Sequence, residues 1–339
     1  MRVKTAFRMF KDGAVFQLLP FMRDMEALIR MHFYFAAVDS GLLDAALEAK
    51  TRNELLGCLD VSQPEILDAL LDVGVALGEI QSRDGKYWFG GKRADALRGR
   101  HGDPLRAMIQ GNVTYYNAVY RAAAERMRSQ IKGDYLQEIG DIVARYSILV
   151  EPYLLDVVID AVREFSVARM LDIGCGTGLY LCVAANENPE LKGIGIESDP
   201  KAAGIARQVL AESGLSDRIE IVEGDIREIG SRLEGEFSLV TFFNAVYYFT
   251  VEERLRLFNR IRELLSAGGR LIVVSSFRGQ KADVASANLN MATSSLKGCT
   301  PLPTLEELNG QLQINGFNIL KTHRLVPGGS LFSVISVAA

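Results

Sequence analysis

The chain has few of the residues that build metal centres and disulfide frameworks. Its 339 residues include three histidines and four cysteines. His32, His101 and His323 lie far apart, with no HxH or HExxH spacing, so a metal site would need long-range assembly and none is expected. Cys58, Cys175, Cys182 and Cys299 form no CxxC pair and no disulfide-like ladder, which fits a reducing cytoplasm. No apolar run is long enough to span a bilayer and no repeat stands out, so a soluble cytoplasmic protein is expected, with no membrane partner. Net charge is only −4, which implies no general attraction to nucleic acid. The N-terminal "MRVKTAFRMFKDG" lacks a long apolar core and a small-residue cleavage site, and reads as a structural arm rather than a signal peptide. The apolar (48%) and charged (24%) shares are ordinary for a globular protein, and the length allows two domains.

The two halves carry different periodicities. "MEALIRMHFYFAAVDSGLLDAAL" has apolar residues at helical spacing, and "TRNELLGCLDVSQPEILDALLDVGVALGEI" reads as helix, turn, helix, with Ser62 as N-cap and Pro64 in the first turn. In "EIQSRDGKYWFGG" a central Asp-Gly separates strand-like runs, a hairpin signal. This is a winged-helix arrangement. Its second helix carries Glu65, Asp68 and Asp72 and no Lys or Arg, the wrong sign for a helix entering a major groove, so a packing or dimerisation role is favoured over DNA binding. Residues 104–165 are again helical and amphipathic; Tyr115, Tyr116, Tyr120, Tyr146 and Tyr153 are expected to pack, with one or two of them as candidates for lining a substrate cavity.

From Ala168 onward strands alternate with helices: "ARMLDIG", "GIGIE", "IEIVEGD", "FSLVTFF", "RLIVVSSF", "FNILKTHRL" and "SLFSVISVA", the last two as a hairpin around "VPGGS". An α/β, doubly wound, mostly parallel seven-stranded Rossmann-like sheet follows, with ligands at the carboxyl ends of its strands. Organisation is expected as 1–100 winged-helix-like, 101–165 linking helices lining the substrate cavity, and 166–339 cofactor-binding.

The first strand runs into "LDIGCGTGLYL", where Asp172 precedes Gly174, Gly176 and Gly178; the glycines permit a tight turn and close approach of backbone to ligand. Cys175 reads as a small residue that fits the loop, because no His or Lys lies beside it in sequence. Glu197 ends the second strand, where a carboxylate can accept from ribose hydroxyls. Asp225 follows the third, where it can accept from an adenine amino group with Ile226 packed on the ring. Three acids at successive strand ends would repel a pyrophosphate but suit a neutral nucleoside carrying a cationic sulfur.

On these motifs the second half resembles class I S-adenosylmethionine-dependent methyltransferases. The resemblance implies a cofactor site of Asp172, Gly174, Cys175, Gly176, Gly178, Glu197, Ser198, Asp225 and Ile226, with Asn244 near the methionine end. The winged-helix half resembles the N-terminal dimerisation domain of small-molecule O-methyltransferases of polyketide and plant natural-product pathways, which implies a homodimer and a small-molecule substrate.

The pattern breaks at "FFNAVYYFTVEE". That family places a histidine after the fourth strand to deprotonate the acceptor; here Tyr247 stands in its place and Tyr248 follows. Phenol is a poor base near neutral pH, because its pKa lies near ~10. Three readings stay open. In the first, a methyltransferase acts on a carbon, amine, thiol or ionised oxygen, with Tyr247, Tyr248 and Asn244 as catalytic candidates that align the acceptor or face the sulfonium. In the second, the same site directs attack to the aminocarboxypropyl side, giving aminocarboxypropyl transfer or cyclisation to azetidine-2-carboxylate with release of methylthioadenosine. The third, a cofactor-binding DNA regulator, is disfavoured by the acidic helix. The polar stretch 278–303 reads as a lid or binding loop, partly helical, from which Asn288, Asn290, Met291 and Ser294 are candidates to face substrate; a helix capped by Thr304 and Glu307 follows.

Overall fold

The computed structural model describes residues 14–134, 142–143, 145–230, 233–279 and 283–338. The basic N-terminal arm expected over residues 1–13 lies outside them. The chain divides into two units, which among the described residues hold 14–120 with 142–149, and 121–134 with 150–338.

In the first unit, α1 (Ala14–Asp39) leads through α2 (Leu42–Ala45), β1 (Lys50–Thr51) and α3 (Arg52–Cys58) to α4 (Pro64–Ala76). A capping box between Thr51 and Glu54 starts α3. The N-cap of α4 is Gln63, not Ser62, because Pro64 occupies the first helical position and the residue before it is the cap. β2 (Ile80–Arg83) and β3 (Lys86–Phe89) pair antiparallel across Asp84 and Gly85, both at positive φ (52° and 71°), the backbone a two-residue hairpin requires. β1 joins β3, completing a three-stranded antiparallel sheet. Buried in this unit, Glu79 accepts from Arg30 Nε at 2.8 Å, Arg93 Nη1 at 3.0 Å and the Tyr34 hydroxyl at 2.5 Å. Of the tyrosines expected to pack, Tyr115 is buried with its ring 4.7 Å from Tyr116, whereas Tyr120, Tyr146 and Tyr153 are exposed.

In the second unit, helix α5 (Glu151–Phe165) precedes a sheet of β4 (Arg169–Ile173), β5 (Lys192–Glu197), β6 (Ile219–Glu223), β7 (Phe237–Phe243), β8 (Leu265–Ser276), β9 (Phe317–Arg324) and β10 (Leu331–Ala338). Strand order is β6-β5-β4-β7-β8-β10-β9, parallel except for β10, which runs antiparallel to both neighbours. This is the doubly wound sheet expected. β4 and β7 are almost wholly buried and apolar because both faces are covered. Alternation divides them: Met170 and Leu239 enter one core cluster, Leu171 and Val240 the other. The intervening helices include α6 (Leu179–Glu187), α7 (Pro200–Glu212), capped by Asp199, and α8 (Val251–Leu264), started by a Thr250–Glu253 capping box. The stretch expected as a lid contains α9 (Val284–Ser295), and the Thr304–Glu307 box opens α10 (Leu305–Ile314). Among the described residues no helix is long and apolar enough to cross a membrane.

Candidate active site

The chain order reverses between β4 and β7, and a parallel sheet opens a crevice at such a point. Four sequence-predicted positions lie along the carboxyl ends there: Asp172 on β4, Glu197 closing β5, Asp225 beyond β6 and Asn244 beyond β7. Asp172 pairs in register with Gly195 on one side and Thr241 on the other, and Glu197 with Glu223.

The loop after β4 turns through Gly174, Gly176 and Gly178, all at positive φ (75°, 54° and 77°). The Gly174 and Cys175 amides donate to the Ile196 carbonyl, which ties the loop to β5. A Cβ at Gly178 would come within 3.3 Å of Ala206 on α7, so this glycine serves close packing; a Cβ at Gly176 would meet nothing within 4 Å, so the backbone there faces open space. The Cys175 thiol is buried against Gly195, and burial pushes its pKa up, which leaves it a packing group rather than a nucleophile.

Glu197 Oε2 accepts from the Gly176 amide at 2.9 Å and Oε1 from the Asp199 amide at 2.9 Å, which fixes the carboxylate at the strand end with lone pairs left over. Ser198 beside it is exposed. Asp172 is almost wholly buried; Oδ1 accepts from Thr241 Oγ1 at 2.7 Å, while Oδ2 has no partner. Burial, with a smaller push from the Glu197 charge, raises its pKa to about 7. A cationic ligand group brought to Oδ2 would relieve that penalty.

Asp225 is more heavily engaged than its sequence position indicates. It caps a helical turn by accepting from the Arg227 amide at 2.8 Å, and the Arg227 guanidinium doubles back onto its carboxylate, with Nε 3.0 Å from each oxygen. That contact holds the Asp225 pKa below the usual carboxylate range. Arg227 also reaches Glu253 at 3.2 Å and lies over the Phe249 ring at 5.1 Å. Arg227 was not among the sequence-predicted residues. Ile226 is buried in the core beside this group.

After β7, Asn244 takes a left-handed backbone (φ 51°) that Asn tolerates, and its amide donates to Val274 at 2.7 Å. Ala245 lies next to the glycine loop, 3.8 Å from where a Gly174 Cβ would sit. A single 3-10 turn, Val246–Tyr248, then presents Tyr247 and Tyr248 with ring centroids 4.7 Å apart. Burial, together with Cys299 and Glu197 nearby, pushes the Tyr248 pKa up to about 12 against a smaller lowering by Tyr247. On α9, Asn290 Oδ1 accepts from the Leu302 amide at 2.9 Å; Asn288, Met291 and Ser294 are half-buried. Among the described residues no group of three or more His, Cys, Asp or Glu could hold a metal ion. A cleft of about 330 Å³ between α5 and the β9–β10 hairpin, lined by Phe165, Lys321 and His323, shares none of these residues.

Comparison with known proteins gives three findings. Residues 170–269 match the family described as a methyltransferase domain. Demethylspheroidene O-methyltransferase of Cereibacter sphaeroides is 26% identical over 264 residues, 72% of this chain and 67% of that one, and the L-tyrosine C(3)-methyltransferase of Streptomyces lavendulae is 29% identical over 116 residues, 34% of this chain and 31% of that one. Among solved structures, the mitomycin 7-O-methyltransferase MmcR superposes with a TM-score of 0.78 over 99% of this chain and 100% of its own, at 18% identity, a likeness that carries the fold.

Proposed function

We propose that the chain, whose residues 170–269 match a methyltransferase domain, uses S-adenosylmethionine to methylate a small molecule of secondary metabolism whose acceptor atom needs no histidine base. The acceptor is a carbon, amine, thiol or already ionised oxygen. The carrying observation is the tyrosine turn: the Tyr248 phenol is pushed up to about 12, so it stays protonated at neutral pH where a general base would have to lose its proton. Rate enhancement then rests on alignment of acceptor and methyl group, with the aromatic faces of Tyr247 and Tyr248 turned to the sulfonium and Asn244 at the methionine end.

Glu197 has the lone pairs to hold the ribose, Asp225 and Ile226 stand where the adenine would lie, and the open backbone at Gly176 accepts the cofactor's middle. Asp172, buried with an unpartnered oxygen, suits a ligand with a cationic tail. When bound, the cofactor supplies an electrophilic methyl group. The relatives point to a broad choice of acceptor, because one is named for an oxygen and another for a carbon.

A homodimer through the first unit belongs to this proposal. On α1, Phe21, Met22, Met25, Leu28 and Ile29 recur at helical spacing and are all exposed, Phe21 to 68%. A second copy covers such a stripe; sedimentation of the intact chain and of Met25→Lys tests it, with a monomeric wild type as the opposing result.

The enzymatic test is incubation of purified protein with methyl-labelled S-adenosylmethionine and a panel of phenols, amines, thiols and stabilised carbon acids. Label transfer with release of adenosylhomocysteine is expected. Methylthioadenosine as the coproduct would instead mean attack at the aminocarboxypropyl carbon, and no transfer to any member would count against the methylation reading.

A further inference from the structure

We infer that Arg254 and Thr300 are positioning residues that orient the Tyr247–Tyr248 pair, an inference that rests on reading that turn as the sulfonium-facing part of the site. A single 3-10 turn has little to hold it. Inside Ala245–Phe249 the backbone supplies only the Tyr248 amide to the Ala245 carbonyl (3.0 Å) and the Phe249 amide to the Val246 carbonyl (3.3 Å). The remaining restraint comes from outside. Arg254, on α8 and 3% exposed, aims Nη1 at the Val246 carbonyl (3.2 Å) and the Phe249 carbonyl (2.9 Å), so the two hydrogens of one nitrogen bracket the tyrosines. Its Nε donates to Gln311 Oε1 on α10 at 2.9 Å, which fixes the plane of the guanidinium. Thr300 adds to this hold: its amide donates to the Tyr247 carbonyl at 2.7 Å, and its hydroxyl lies 3.1 Å from both the Tyr247 and Phe249 carbonyls.

A guanidinium buried this deeply is costly, and burial lowers its pKa. Among the described residues no carboxylate accepts a hydrogen bond from it, and Glu307 acts on it only through its charge; three neutral oxygens receive its protons instead. That is an expensive way to hold a loop whose only task is to connect a strand to a helix, and a reasonable one where the angle of two rings matters.

Thr300 is itself held on a strap, residues 296–302, stitched into the second unit at several points. Lys297 N donates to the Gly133 carbonyl at 2.9 Å, Lys132 Nζ to the Cys299 carbonyl at 3.0 Å, and Leu302 N to Asn290 on α9 at 2.9 Å. The strap therefore ties the tyrosine turn to α9, the helix within the polar stretch after β8, so that a displacement of α9 reaches the rings through Thr300.

The test uses the intact protein and two probes, S-adenosylmethionine and S-adenosylhomocysteine, whose affinities are measured by calorimetry. The aromatic faces favour the sulfonium form over the neutral sulfide by about three- to thirtyfold. Tyr247→Leu and Tyr248→Leu should reduce that preference. Thr300→Val, which keeps the amide and loses the hydroxyl, should also reduce it, by about threefold, while leaving adenosylhomocysteine affinity unchanged; Thr300→Ser should restore it; and Thr300→Val on top of Tyr247→Leu and Tyr248→Leu together should add nothing further. Equal loss for both probes, or a further loss from Thr300→Val once both tyrosines are replaced, overturns the positioning role and leaves Thr300 a structural residue. Should Thr300→Val fail to fold, Arg254→Lys, which has one ammonium for what the guanidinium serves, is read the same way. If the tyrosine variants leave the preference untouched, the sulfonium-facing reading of the turn fails, whatever Thr300 does.

Discussion

Thr241 Oγ1 donates to Asp172 Oδ1 at 2.7 Å across adjacent strands β7 and β4. The two residues are register partners pointing to the same side of the sheet, so the hydroxyl offsets part of the cost of burying a carboxyl there. It does not offset all of it, since Oδ2 is left without a partner and the Asp172 pKa rises to about 7.

A pH dependence follows from that rise. The folded protein keeps a proton on Asp172 that the unfolded chain loses near the ordinary carboxylate pKa of 3.8. The burial penalty is therefore absent below that value, grows as pH rises toward about 7, and is constant above it. Asp172→Asn should flatten this part of the stability profile and raise the melting temperature at pH 8, by about a few degrees. The same variant should bind S-adenosylmethionine more weakly. Melting curves between pH 5 and pH 8 check the first statement; parallel profiles for the two proteins would contradict it.

Glu197 carries a second prediction. Each of its oxygens accepts one backbone N–H, from Gly176 and from Asp199. Glu197→Gln sets an amide donor against one of those N–H groups and removes the charge that strengthens the rest. Hydrogen bonds to a charged partner are worth about 1.5–3 kcal/mol, so cofactor affinity should fall roughly 10- to 100-fold. If Glu197 holds the ribose as proposed, the contact lies away from the sulfur and S-adenosylhomocysteine should weaken equally. A loss confined to S-adenosylmethionine would place Glu197 at the sulfonium instead.

Arg227 leads to a prediction of the opposite sign. Its guanidinium occupies the Asp225 carboxylate that an adenine amino group would use. Arg227→Met frees that acceptor, and the Asp225 pKa should move back up toward the usual carboxylate range. Cofactor affinity should then tighten by about 2- to 10-fold, the worth of one ordinary hydrogen bond. A weaker complex would mean that Arg227 belongs to the adenine site itself.

The contrast between Asp225 and Arg227 shows what is legible in the chain. "FSLVTFF" reads directly as β7 over Phe237–Phe243, because a strand covered on both faces is one continuous apolar run. The Thr304–Glu307 box is equally local. The glycine loop, Glu197 and the tyrosine turn take their places from strand ends that can be counted. Arg227 is only two residues from Asp225, yet its return onto the carboxylate depends on Asp225 acting as a cap and on Glu253 arriving from another helix. Arg254 lies on a helix rich in charge, and nothing local marks it as buried; its partner Gln311 is 57 residues away. The exposure of Tyr120, Tyr146 and Tyr153 is also non-local, since an aromatic on an amphipathic helix packs only where another element covers it.

The last prediction concerns the first unit. Glu79 is 5% exposed and accepts from Arg30, Arg93 and Tyr34, joining α1 to the start of the β2–β3 hairpin and to the segment after it. Burial and the hydrogen bond to Glu79 push the Tyr34 phenol well above its ordinary pKa, so this hydroxyl remains a donor throughout the neutral range. Glu79→Ala removes the acceptor and leaves the Tyr34 hydroxyl and part of Arg30 without a partner. Arg93 is well exposed and Arg30 keeps Glu26, so the cost is chiefly that of an unsatisfied buried Tyr34 hydroxyl, about 1–3 kcal/mol. Denaturant unfolding of Glu79→Ala should show a loss in that range, and Glu79→Gln, which keeps an acceptor for Tyr34, a smaller one. Cofactor affinity at the strand ends of the second unit should change little in either variant. Equal stability of Glu79→Ala and wild type would mean that the three donors find water as readily as they find the carboxylate.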